Sequence, residues 1–174
     1  MSRRVSLNAR IAHEAESTAE VDVVLVKITH PALSEPVRLS TDPTERLSLD
    51  PLSYCTRSTW PAEETKQVFS FVLLEAILPG DDGDSPHQAQ LSLELHDNDI
   101  ARVLRSITTP ARVDLACVKA SSPDVVEAEY LDLSLTSSEG DSGQAQLTIA
   151  REPLATEPMP ADRMSRQRFP GLHS

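Results

Sequence analysis

Apolar and polar positions along this chain fall mostly into short continuous or alternating stretches. Positions 20–29 contain Val21, Val23, Val24, Leu25, Val26 and Ile28. Such a β-branched run predicts a strand, largely buried where its apolar residues are continuous. His30-Pro31 ends it, because the residue before proline is pushed to extended geometry and proline cannot donate to a ladder. Positions 36–40 predict a second short strand, returning after a turn through 32–35. From 41 to 64, Pro43, Pro51 and Pro61 stand among many Ser and Thr residues. That stretch reads as a long irregular connection with at most a short strand at 47–49. The Val-, Phe- and Ile-rich run at 67–78 favours one buried strand, although periodicity alone leaves a helix open. A turn-forming stretch at 79–86 follows. Leu91, Leu93 and Leu95 then alternate with polar residues, so 67–78 and 90–96 predict an antiparallel hairpin with an acidic loop.

The clearest helical pattern lies at 98–107. Asp97 or Asn98 supplies an N-cap, and Ile100, Val103, Leu104 and Ile107 form one apolar stripe opposite Arg102 and Arg105. Thr108-Thr109-Pro110 closes it. Alternation resumes at 111–119, Ser122-Pro123-Asp124 reads as a turn, 129–135 as a strand, 138–143 as a flexible loop and 144–150 as a last strand. Near the start, Ile11, Ala12 and Ala15 give only a weak helical signal. Many strands at short spacing with one brief helix predict a mainly β (α+β) fold, an antiparallel β-sandwich or distorted barrel. The expected organisation is an N-terminal arm (1–20), a β domain (21–150) and a proline-rich C-terminal arm (151–174), the last containing Pro153, Pro158, Pro160 and Pro170.

Composition narrows the function classes. The chain has 174 residues, enough for one domain, and only 3% aromatics, so its core must be mainly Leu, Val, Ile and Ala. A net charge of -11 argues against a dedicated nucleic-acid binder, which needs positive charge to displace counterions. No apolar run approaches the roughly 20 residues needed to cross a bilayer, and Arg3 and Arg4 are not followed by the apolar region of a secretion signal. The charge is also unevenly placed: residues 1–10 carry +3, 151–174 carry +1 and 11–150 carry -15.

Candidate chemistry is sparse. Cys55 and Cys117 belong to no paired motif and are too few for a four-cysteine zinc or iron–sulfur site. Cys117 reads as a small core residue, and a cytoplasmic origin favours free thiols over a disulfide. His13, His30, His87, His96 and His173 form no His-Glu-x-x-His arrangement. His96, Asp97 and Asp99 invite a metal reading, but a strand end and helix cap account for them better. Asp81, Asp82 and Asp84 lack the later ligands of a calcium-binding hand and read as a solvated acidic loop. With five glycines, the chain has no nucleophile elbow, phosphate loop or dinucleotide fingerprint. Trp60 is either a partner anchor or a plug over the core. No enzymatic activity, cofactor or metal is therefore expected; a small wall-degrading enzyme would need a nucleophile or a carboxylate pair in a cleft.

The order of segments resembles a family of phage tail proteins commonly encoded beside a cell-wall peptidase and the tail-tip proteins. The matching residues are the strand into His30-Pro31, Pro36-Val37-Arg38, Asp97-Asn98 with Ile100 and Leu104-Arg105-Ser106-Ile107, then Pro110, Val113, Leu115 and Val118. Ser122-Pro123-Asp124, Val126-Glu127, Glu152-Pro153 and the terminal Arg168-Phe169-Pro170-Gly171-Leu172 complete the likeness. It runs from about residue 20 to the end, and residues 41–64 fit it poorly. Such proteins are similar to short relatives of the lambda minor tail protein L, without the length or cysteines for that protein's iron–sulfur domain.

The resemblance implies a non-catalytic virion component of the tail-tube/hub type, made in the host bacterial cytoplasm and located in the tail tip or baseplate. The implied partners are the distal tail or tube ring, the central hub or tail fibre protein and a tail-peptidase-type neighbour, with no membrane. A homo-oligomeric ring, trimeric or hexameric, is also implied, with DNA only in passage. The alternative is an assembly factor absent from the finished particle. On this reading Met159, Met164, Arg166, Arg168, Phe169, Pro170 and Leu172 of the C-terminal arm are expected to contact a neighbouring subunit. Asp81, Asp82 and Asp84 are expected to face a lumen, where like charge keeps DNA from sticking.

Overall fold

The computed structural model of the protein describes residues 2–3, 5–62, 64–77, 88–94, 109–140 and 144–150. In chain order the elements are β1 (Ser2–Arg3), α1 (Leu7–Glu14), β2 (Asp22–Thr29), β3 (Val37–Ser40), β4 (Glu45–Leu49), β5 (Leu52–Ser58), β6 (Gln67–Phe71), β7 (Leu73–Ile77), β8 (Gln88–Glu94), β9 (Arg112–Lys119), β10 (Ser122–Gly140) and β11 (Gln144–Ala150). The fold is mainly β, with one short helix among the described residues. The strands form one mixed sheet in the order β4-β5-β6-β3-β2-β9-β10-β11-β8-β7, with β1 added along β10. Every ladder is antiparallel except β3–β6, which is parallel over two residue pairs.

The centre of the sheet is the β2–β9 ladder, eight consecutive pairs from Asp22 opposite Lys119 to Thr29 opposite Arg112. Because side chains alternate across a strand, the two faces of this ladder can be buried separately. Val26, Ile28, Val113 and Leu115 join one hydrophobic cluster. Val23, Leu25, Ala116 and Val118 join a second. The first cluster also takes Ala89, Leu91 and Leu93 from β8, Ala145, Leu147 and Ile149 from β11, and Leu133 and Leu135 from β10. Strands far apart in the sheet order thus share one core, so the sheet turns back on itself in two layers. The chain passes between them at Val72, the buried residue separating β6 from β7.

The turn of the sheet is made by β10. Its first part pairs with β9, and from Ser134 onward it pairs with β11. Just before that handover the register slips between Tyr130 and Leu133, and Asp132 takes a left-handed backbone with φ 63°. That conformation is disfavoured for a residue with a Cβ. The buried Asp114 carboxylate holds it, accepting the Asp132 N–H at 2.9 Å. The N-terminal segment docks on the same strand: Ser2 and Arg3 lie opposite Glu129 and Ala128, and Ser6 N donates to Glu127 Oε2 at 2.7 Å. The Ser6 hydroxyl accepts from Ala9 N at 3.1 Å, an N-cap that starts α1.

Several boundaries differ from the sequence expectation. The irregular connection expected at 41–64 contains the β4–β5 hairpin. Its buried positions include Cys55, Thr56 and Ser58, and small polar residues leave no hydropathy signal. The run at 67–78 is two strands with different partners, β6 beside β5 and β3, and β7 beside β8. Ser122-Pro123-Asp124 opens β10; the turn sits one step earlier, at Ala120 and Ser121. The expected loop at 138–143 begins inside β10, which extends to Gly140. The helix expected at 98–107 lies outside the described residues.

Replacing a side chain in the shared wall removes contacts from a site with little room to collapse. Leu115→Ala is expected to destabilise the fold by about 2–5 kcal/mol, read as a lowered urea midpoint at unchanged slope.

Candidate functional site

One cleft of about 380 Å³ opens between the β4–β5 hairpin, the turn after β3 and the β9–β10 connection. Its walls come from four places in the chain: Asp42, Thr44 and Glu45; Cys55, Thr56 and Arg57; Lys66; and Ala120 with Pro123. A buried hydroxyl network supports the floor. Ser40 Oγ and Thr56 Oγ1 are 2.6 Å apart, Asp42 N donates to Ser40 Oγ at 3.1 Å, and Thr56 Oγ1 donates to the Asp42 carbonyl at 3.4 Å. The Asp42 carboxylate turns the chain by accepting from both the N–H and the hydroxyl of Thr44.

The far wall is fastened by contacts between the β5–β6 loop and β10. Ser58 Oγ donates to the Pro123 carbonyl at 2.7 Å, Thr59 N to Asp124 Oδ1 at 2.8 Å, and Trp60 Nε1 to Glu129 Oε1 at 2.8 Å. Lys66 Nζ lies 2.8 Å from Asp124 Oδ2. Trp60 is only 3% exposed and packs on Phe69, with ring centroids 5.9 Å apart. Of the two roles open to it from sequence, it takes that of core plug.

Each of the two cations of the cleft is answered by a carboxylate. Arg57 pairs with Glu45 and Lys66 with Asp124, so neither cation is left to recruit an anionic ligand. The Lys66 ammonium, hydrogen-bonded to Asp124, holds that carboxyl below its ordinary value of 3.8, against the opposing effect of burial and with help from the Thr59 N–H. Burial pushes the Cys55 thiol up, and Glu45 adds to this while Arg57 opposes it. Cys117 is pushed up to about 11, first by burial and then by Asp22. Both cysteines are free thiols. No histidine lines the cleft to deprotonate Cys55. No group of three or more His, Cys, Asp or Glu among the described residues is placed to hold a metal ion. No helix among them is long and apolar enough to cross a membrane.

Large apolar side chains are exposed at both ends of the sheet, as they are at Leu7, Ile11 and Val21 near the start of the chain. Leu47, Leu49 and Leu52 of the β4–β5 hairpin are 45%, 74% and 59% exposed, and Leu73 of β7 is 52% exposed. The hairpin reaches beyond its support: β5 pairs with β6 only over Cys55 to Ser58, leaving Leu52 to Tyr54 paired on the β4 side alone. Two isolated strands are marginal in water, so leucines here stabilise little within the chain itself. The short strand allowed at 47–49 from sequence falls within β4, whereas β5 was missed because its buried positions are Cys55, Thr56 and Ser58. The residues expected to make subunit contacts (Met159, Met164, Arg166, Arg168, Phe169, Pro170 and Leu172) lie outside the described residues. So do Asp81, Asp82, Asp84, His96, Asp97 and Asp99.

Two outcomes follow from the electrostatics. A depressed native pKa at Asp124 means that its ion pair stabilises the fold above the ordinary carboxylate range and stops doing so as pH falls through the native value. Asp124→Asn should therefore cost up to about 1 kcal/mol at neutral pH, the ceiling for a solvent-screened pair. That difference should vanish at acid pH in urea unfolding curves. Buried Cys55 and half-buried Cys117 should resist an aromatic disulfide reagent in the folded protein at about pH 8 and react once unfolded; rapid reaction of native protein would contradict the burial of Cys55 or the raised pKa of Cys117. Compared with known proteins, the chain matches no protein-family model and no curated protein sequence.

Proposed function

We propose that this chain is a structural component of a bacteriophage tail tip or baseplate, a hub-type protein joining the distal tail tube to the central hub and tail fibre proteins. The observation that carries the reading is the exposure of leucines on both terminal strands of the sheet, beside a cleft whose two cations are each paired with a carboxylate. Such a molecule is suited to work by contact. Apolar side chains that meet a partner gain roughly 1.5–3 kcal/mol each on full burial, whereas in an isolated chain they remain in water.

The sequence resemblance supports the same reading. Its residues within the described structure lie at the end of β2, along β3 and β9 and at the start of β10. Val113, Leu115 and Val118 are buried wall residues there, so the likeness follows the part of the fold that sets its shape. The hairpin, at 45–58, belongs to the stretch where the likeness is poor. The partners in this proposal are other tail proteins and further copies of the chain arranged as a ring. The acidic surplus of residues 11–150 suits a wall past which DNA moves without adhering.

Quantitative mass spectrometry of purified virions tests the proposal. A hub protein is expected at a fixed stoichiometric copy number, whereas an assembly factor would be present in infected cells and missing from particles. Deleting residues 158–174 is expected to leave the thermal unfolding of the β domain unchanged while preventing entry into tails; normal incorporation of the truncated chain would remove the docking role assigned to that arm.

A further inference from the structure

The two ends of the sheet, β4 and β7, are complementary to each other. In the sheet order neither has a neighbour on its outer side among the described residues, and each is five residues long. An open strand edge offers unpaired N–H and C=O groups to any strand of suitable register. Arg46 on β4 and Glu75 on β7 are both exposed, and neither has an ion-pair partner among the described residues. We infer that β4 of one copy of this chain adds antiparallel to β7 of a second copy, continuing the sheet from one molecule into the next.

The register follows from side-chain faces. Glu75 and Leu73 are two residues apart on β7 and share a face, opposite to Leu74, which packs on the first core. On β4, Arg46 lies opposite Tyr54 and Leu49 opposite Leu52, with Leu47 as the extra residue of a bulge. The bulge places Arg46 and Leu49 on one face although they are three positions apart. With Arg46 set opposite Glu75, the same bulge therefore brings Leu49 opposite Leu73. One register satisfies the two lone charges and pairs the most exposed leucine of β4 with the exposed leucine of β7. Pairing β4 with another β4 gives no such match, because within β4 Arg46 shares its face only with Leu49 and therefore meets no carboxylate.

The contact is heterologous, using different surfaces of the two copies, so its repetition gives a ring when the rotation closes and a filament when it does not. It deepens the ring reading above by naming the edges that join. Its test uses purified full-length chain and no virion, so it can fail while the tail assignment stands, and the reverse.

Sedimentation across a concentration series reads the association. Arg46→Glu and Glu75→Arg are each expected to weaken self-association by roughly tenfold, since reversing one charge replaces attraction by repulsion. The double variant R46E/E75R should recover most of the loss. Both positions are exposed, and circular dichroism is to check that each variant is folded. Crosslinking fixes the partners: Leu49→Cys chain mixed with Leu73→Cys chain should form a disulfide-linked dimer under mild oxidation, and neither should do so alone. A dimer formed by the Leu49→Cys chain alone, single charge reversals without effect, or a wild-type chain that stays monomeric and gives no mixed crosslink would each overturn the inference.

Discussion

Everything in this fold hangs on the register of β2 against β9. A strand pair with one wet face is fixed by its own hydrophobic pattern, because slipping by a residue would turn the apolar side outward. Here both faces are apolar and buried, so that safeguard is weaker, and polar residues at the ends take it over. On the face of the first core, Asp22 lies opposite Lys119 with the ammonium buried and 2.7 Å from the carboxylate. On the other face, at the opposite end of the ladder, Lys27 lies opposite Asp114. A slip would leave a buried ammonium or carboxylate without its partner, a costly state in a low-dielectric interior.

Asp114 connects that register to the path of the chain beyond it. By accepting the Asp132 N–H it holds the left-handed residue at which β10 bends, and Arg112 reaches Asp132 from the side at 3.2 Å. The bend directs the second half of β10 toward β11, and with it the layer that closes the first core. The second core closes differently, through Trp60 and Phe69 folding over the opposite face. One ladder therefore serves two cores that are completed by different parts of the chain.

Much of this was readable from residue order alone. The strands with apolar alternation, β2, β9, β11 and the β7–β8 hairpin, were legible because each has an inward face of Val, Leu or Ile. The β4–β5 hairpin was not, since β5 is held by ladder bonds and by the Ser40–Thr56 hydroxyl pair, which hydropathy does not register. The break at Val72 was hidden because both strands around it are apolar, and a change of partner leaves no trace in composition. Trp60 admitted two roles until its indole was seen donating to Glu129, 69 residues away. The cleft had no spacing signature, because its walls come from separate segments, with β4 lying between Thr44 and Cys55 and β6 to β9 between Lys66 and Ala120.

The parallel contact between β3 and β6 takes on mechanical meaning if the sheet ends are pulled. Ladder bonds in antiparallel pairs run across the strands, so tension between β4 and β7 acts along them and is carried by each ladder in series. The seam with least to resist it is β3–β6, where only Leu39–Ser70 and Ser40–Phe71 are paired, in the slightly weaker parallel arrangement. The outboard strands β4, β5 and β6 would part there first, were they not tied a second time across the top of the molecule. Ser58, Thr59, Trp60 and Lys66 make that tie to β10, so what reads in a resting structure as loop docking becomes, under strain, the tether that keeps the edge attached.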